Sequence, residues 1–136
     1  MIIIADASAV GSFLLHDEAG PFADFARAAF DAHDVHVPAI WPTELASLIA
    51  VAHRRGRLND AQRDIAARRA EALMPYVQIV GDASVARVVE RATEVGLSAY
   101  DTTYLLLAER IGGAMLTGDG RLKRAAETVG LQVLHP

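Results

Sequence analysis

Four carboxylates stand where a folded chain does not leave an acid idle. Asp6 ends the apolar run Ile2-Ile3-Ile4-Ala5, and Asp119 follows Ala114-Met115-Leu116-Thr117 after a single glycine. Asp101 opens a segment containing Tyr104-Leu105-Leu106-Leu107-Ala108, apolar nearly all round, the pattern of a helix buried between layers. Glu44 stands one turn before Leu48, on the apolar flank that Trp41, Leu45, Leu48, Ile49 and Ala52 define, where an unpaired carboxylate is costly. Open α/β sheets bind ligands at the carboxyl ends of their strands. If the four acids converge there, each raises the pKa of the others, and a cation is the natural relief. Oxygen-only donors select a hard cation. With no cysteine and no histidines paired at ligand spacing, Mg2+ or Mn2+ is favoured over Zn2+. Mg2+ keeps several waters and accepts a substrate phosphate as a further ligand, which makes phosphodiester chemistry the fitting reaction.

Each acid also has an ordinary structural use. Asp6 is placed to cap a helix, Ser98 and Asp101 have the S-x-x-D spacing of a capping box, Gly118-Asp119-Gly120 is a good turn, and Glu44 has arginines within the chain to pair with. Four such uses would have to coincide at one end of the sheet. Ser8 and Thr117, each two residues from an acid, are placed to hydrogen-bond carboxylates and fix their orientation.

The elements that must position these residues alternate. Five short strands are expected at Ile2-Ile3-Ile4, at 34–38, 76–80 and 114–117, and at Leu131-Gln132-Val133-Leu134. Helices are expected between them: 9–15, 21 to about 33 with Pro21 in its first turn, 41 to a stop at Gly56, about 60–74 capped by Asn59 or Asp60, 83–95 stopped by Gly96, the helix opened by Ser98, and 121–129. Parallel neighbours need crossover connections, so the pattern calls for a three-layer α/β/α sandwich around a parallel sheet of about five strands. The 136 residues, 52% hydrophobic, suit one domain spanning 1–136 with a real core.

Bulk properties narrow the function. Absence of cysteine removes disulfide frameworks and thiolate chemistry and suggests a reducing compartment. The start of the chain reads as a strand, not a leader, and no run approaches the roughly 18 apolar residues of a membrane span, so a cytoplasmic location without membrane association is expected. A net charge of −4 argues against broad coating of nucleic acid. Six arginines lie between 54 and 69 (Arg54, Arg55, Arg57, Arg63, Arg68, Arg69), read as a solvated helix face with Asp64 and Arg68 as an i,i+4 pair. Arg121, Lys123 and Arg124, just after Asp119, are better placed to touch phosphate. All four phenylalanines precede residue 31, spaced for core packing or, as a sharper alternative, for a partner-binding groove.

The ordered set Ile-Ile-Ala-Asp-Ala-Ser at the start, Pro-Thr-Glu at 42–44, Leu-Ser-Ala-Tyr-Asp at 97–101 and Leu-Thr-Gly-Asp at 116–119 resembles a PIN domain along the whole chain, and is most similar to the VapC-type toxins of toxin–antitoxin pairs. The resemblance implies a PIN-like α/β/α sandwich and a Mg2+- or Mn2+-dependent endoribonuclease; the acidic net charge favours unpaired RNA as its substrate, which is easier to read and to thread. It also implies an acidic quartet of Asp6, Glu44, Asp101 and Asp119, supported by Thr117. A homodimer and a cognate antitoxin that covers the site are implied as well. One departure concerns Ser47, three residues after the motif glutamate, where such proteins often carry Asn.

Two rival readings stand beside this one. An aspartyl-phosphate receiver or phosphatase would want a second acid beside Asp6 and a phosphorylatable Asp after a central strand; only Asp82 is loosely placed, and Lys123, the sole lysine, follows Asp119. The other rival is a non-catalytic module that binds a partner through the Phe22 to Phe30 face.

Overall fold

The structure, a computed structural model, describes residues 1–81 and 83–136. Asp82 lies outside the described residues. Strand β1 (Ile2–Ala5) is central, parallel to β2 (Asp34–Pro38) on one side and to β4 (Ala114–Leu116) on the other; β3 (Val77–Val80) pairs in parallel with β2, giving the order β3-β2-β1-β4. Every strand therefore ends at the same edge. Ile3, Ile4, Val35, Val37, Met115 and Leu116 are buried, as an unbroken apolar run in a sheet covered on both faces requires.

The expected fifth strand contracts to one parallel bridge, Val133 to Met115. Met115 uses both of its backbone groups on that side, its N–H donating to the Gln132 carbonyl at 2.8 Å and its carbonyl accepting Leu134 N at 2.9 Å. Because β4 is only three residues long, a partner strand has a single site to pair with.

One group of helices contains α1 (Ala7–Leu14), α2 (Pro21–Ala32), α3 (Trp41–Arg54) and α4 (Asp60–Leu73), with α1 touching each of the other three. The other is built on α6 (Ala99–Ile111), which lies against β1, β2 and β4 with α5 (Val85–Val95) and α7 (Gly120–Thr128) beside it. The sheet between them makes a sandwich. Gly11 lets α3 pack closely on α1: a Cβ there would meet Leu48 Cδ1 at 2.9 Å. Gly96 and Gly112 end α5 and α6 in the left-handed conformation, at φ of 70° and 71°, where a side chain is strained.

Trp41, Leu45, Tyr104, Leu105 and Leu122 are fully buried between these layers. The phenylalanines belong to the same core. Phe30 is buried with Phe13 edge-on to it at 5.8 Å, and Phe22 and Phe25, 6.5 Å apart, pack against its margin. Among the described residues no helix is long and apolar enough to cross a membrane.

Candidate active site

Asp6 directly follows β1, where the chain turns into α1. Its Oδ1 accepts Ala9 N at 2.9 Å and so caps that helix. Ser8 Oγ donates to the same carboxylate at 2.8 Å, and Thr117 Oγ1 donates to Oδ2 at 2.6 Å from the far end of β4. Three donors fill three of the roughly four lone-pair sites of a carboxylate and leave one. The two hydroxyls also accept: Gly118 N donates to Ser8 Oγ at 3.0 Å, and Asp119 N to Thr117 Oγ1 at 2.9 Å. Ser8 and Thr117 thus tie the ends of β1 and β4 together around one acid.

Asp119 caps α7 through a single oxygen, Oδ1 accepting Arg121 N at 2.8 Å and Leu122 N at 3.1 Å. Asp101 sits in the first turn of α6, where Ser98 Oγ accepts its backbone N–H at 3.1 Å. That cap sets the angle at which Asp101 enters. Glu44 projects from the first turn of α3. Its Oε1 is buried without a hydrogen-bond partner among the described residues, and so is the hydroxyl of Tyr104, one turn along α6 from Asp101. These two side chains lie close enough to influence each other's ionisation while falling short of hydrogen-bond geometry.

All four acids line one cleft of about 510 Å³ at the carboxyl edge of the sheet, together with Ser8, Thr43, Ser47, Leu48, Tyr100 and Tyr104. Their electrostatics reflect the shared space. Burial, above all, pushes Asp6 up to about 6, with Asp101's charge adding to the shift and the three donors opposing it. Burial also raises Glu44, helped by the charges of Asp101 and Asp6 and opposed by Tyr104. Asp101 is raised by burial and then by Asp119, while Ser98 and Arg121 act in the other direction. The Tyr104 phenol is pushed up by burial and by Glu44.

These residues fit a hard divalent cation. Among the described residues no three His, Asp or Glu are gathered into a ready-made metal cage, so the acids face a cleft, not a point. Mg2+ does not require a cage: it keeps several waters and binds through one or two carboxylates plus substrate phosphates. The oxygen donor set, the burial and, after it, the mutual repulsion that raise three carboxylates, and the Glu44 Oε1 without a partner among the described residues all suit such an ion.

The basic residues divide. Arg121 and Arg124 line a hollow with Arg91 and Thr128, whereas Lys123 faces the opposite side of α7, in a hollow with Phe22 and His135. Of the 54–69 arginines, Arg57 pairs with Asp17 at 2.7 Å and Glu18 at 3.2 Å, and Arg63 takes Asp64 at 2.9 Å. The expected Asp64–Arg68 pair is thereby displaced, because the adjacent arginine reaches the carboxylate first. Tyr104 was legible only as core; its position three residues after Asp101 is the signal that also places it at the cleft.

A family model described as PIN domain matches residues 3–128. The chain is similar to ribonuclease VapC3 of Pyrobaculum aerophilum, 31% identical over 126 residues covering 90% of this chain and 92% of that protein. It is also similar to VapC ribonuclease Mb0985 of Mycobacterium bovis, 35% identical over 125 residues and 89% and 88% of the two chains. Among solved structures, PAE2754 from Pyrobaculum aerophilum shares the fold with a TM-score of 0.73 at 21% identity, over 95% of this chain and 86% of that one. VapC20 of Mycobacterium tuberculosis, described as a sarcin–ricin loop cleaving toxin, shares it with a TM-score of 0.64 at 17% identity, over 98% and 99% of the two chains.

Proposed function

The chain belongs to the PIN domain family, and from that premise we propose that it is a Mg2+- or Mn2+-dependent endoribonuclease, the toxin of a toxin–antitoxin pair. The observation that carries the reading is the meeting of Asp6, Glu44, Asp101 and Asp119, from four separate elements, along one cleft. Relatives named as VapC ribonucleases, matched over nearly their whole length, support it.

Asp6, Asp101 and Asp119 would hold the principal ion, with Glu44 holding a second or orienting the attacking water. Bound divalent cations supply an activated water and neutralise charge on the transferring phosphate. Ser8 and Thr117 fix the Asp6 carboxylate so that its remaining lone pair points one way. Arg121, whose charge already reaches Asp101, steadies the substrate backbone, with Arg124 and Lys123 flanking it. Leu48 and Tyr104 give the cleft apolar walls that limit bulk water around the acids.

The substrate is single-stranded RNA, since unpaired segments thread a narrow cleft and net charge −4 leaves few cations to grip a duplex. A cytoplasmic location, a cognate antitoxin that covers the cleft, and a homodimer complete the proposal. Exposed Ile79, Val85 and Val89 offer apolar surface for such contacts. Sequencing of cleavage ends from total RNA treated with wild type and with Asp101→Asn tests the reading. Discrete ends that vanish in the variant are expected; ends that persist in the variant refute it.

A further inference from the structure

The hollow on the Lys123 side of α7 has a different chemistry from the arginine side. It measures about 210 Å³ and is lined by Phe22, Gly118, Asp119, Lys123, Leu134 and His135. Asp119 is a wall of both this hollow and the acidic cleft, so the two spaces adjoin. Gly118 lets the Phe22 ring close on the loop: a Cβ there would stand 3.1 Å from Phe22 Cε1 and 3.4 Å from Cζ. An aromatic ring, an exposed imidazole and an apolar side chain are what an unstacked base packs against, and a lysine beside them suits the phosphate attached to it. Among the described residues Lys123 has no ion-pair partner, whereas His135 is 3.5 Å from Glu127 at the rim. The hollow of about 420 Å³ across α7 has no aromatic side chain; Arg91 there is already paired with Glu94 at 2.7 Å and Glu109 at 2.9 Å, which leaves Arg121 and Arg124 for backbone phosphate.

We infer that the Phe22–Lys123–His135 hollow is a nucleobase subsite, taking the base next to the scissile phosphate of a single-stranded RNA; this rests on the ribonuclease reading. A strand lying across the start of α7 places its phosphate at the acids, one base in this hollow, and its continuing backbone toward Arg121 and Arg124. The subsite gives the enzyme a contact with its substrate that depends on a base being present, which the acids do not provide. Its stacking character makes it tolerant of base identity and intolerant of a missing base.

The test uses an oligoribonucleotide that the wild type cleaves, with an abasic ribose walked through each position. Binding in Mg2+ is read by fluorescence anisotropy on the cleavage-impaired Asp101→Asn protein, alone and carrying Phe22→Leu or His135→Ala in addition. One abasic position beside the cleaved bond should weaken binding about tenfold, and that penalty should largely vanish in both added variants. Phe22→Leu keeps apolar volume at the core margin, and His135 is exposed, so the second variant is read free of any folding defect. Lys123→Met should weaken every oligonucleotide alike and flatten the salt dependence. Equal penalties at all positions, or an unchanged position-specific penalty in Phe22→Leu and His135→Ala, overturn the subsite alone. A wild type that neither cleaves nor binds any RNA overturns the ribonuclease reading, and the subsite with it.

Discussion

Asp6 and Glu44 face the same cleft and are held in opposite ways. Asp6 is 4% exposed and clasped by Ser8, Ala9 and Thr117, with the two strand ends locked around it. Glu44 is half-buried, and among the described residues one of its carboxylate oxygens has no hydrogen-bond partner, nor has the hydroxyl of Tyr104 beside it. A carboxylate fixed by three donors presents one lone pair in one direction, as a ligand should. A carboxylate with an unsatisfied oxygen at a helix start keeps lone pairs for a second ion or a water, which is what an orienting base needs. The cleft therefore combines a clasped wall and an open one.

Replacing the clasped acid should have the largest effect. Asp6→Asn is expected to lower RNA cleavage by about a thousandfold or more, the loss of several kcal/mol of ion binding. The same change should stabilise the ion-free protein at pH 7 by about 2–3 kcal/mol, since a carboxyl held near 6 against an ordinary 3.8 opposes folding once ionised. Chemical denaturation checks the second half; a destabilised Asp6→Asn protein would mean the clasp, not the charge, dominates there.

Next comes pH. Asp6, Glu44 and Asp101 are all raised in the folded state, so they bind protons more tightly folded than unfolded. Their contribution to stability is fullest below about pH 4 and is lost as pH rises toward and through about 6. In EDTA the Tm should fall across that window, and Mg2+ should restore it more at pH 7 than at pH 5. A Tm that climbs steadily from pH 4 to 7 in EDTA would contradict the shared-charge picture.

Smaller effects separate the two walls. Thr117→Val removes the 2.6 Å donor to Asp6 and the acceptor for Asp119 N, and should cost roughly 10–100-fold in activity or metal affinity. Tyr104→Phe removes a hydroxyl that has no partner among the described residues and should change stability by no more than about 1 kcal/mol. If Tyr104→Phe proves as damaging as Thr117→Val, the contrast between a clasped and an open wall fails.

The places of the four acids in the fold, and of Ser8 and Thr117 beside Asp6, were legible because strand ends and helix starts write themselves into sequence. Asp34–Pro38 is a strand where expected, Gly96 stops its helix, and Asn59 makes a capping box with Gln62. What could not be read depends on how side chains project in three dimensions. The α7 trio reads as one basic cluster, yet Lys123 faces away from Arg121 and Arg124 because successive helical positions diverge around the axis. The fifth strand has the composition of one, and only the three-residue length of β4 reduces it to a single bridge. Tyr104 reads as core and is core; its place three residues after Asp101 brings it to the cleft, whereas its nearness to Glu44, on a different helix, is recorded by no local pattern.

The most direct test of the central claim is the rate of cleavage of a defined single-stranded RNA by the wild type at pH 7, in Mg2+ and again in excess EDTA. Cleavage in Mg2+ that is abolished by EDTA and recovered on adding the ion back is the result expected of four acids around a divalent cation. Cleavage undiminished in EDTA would contradict it.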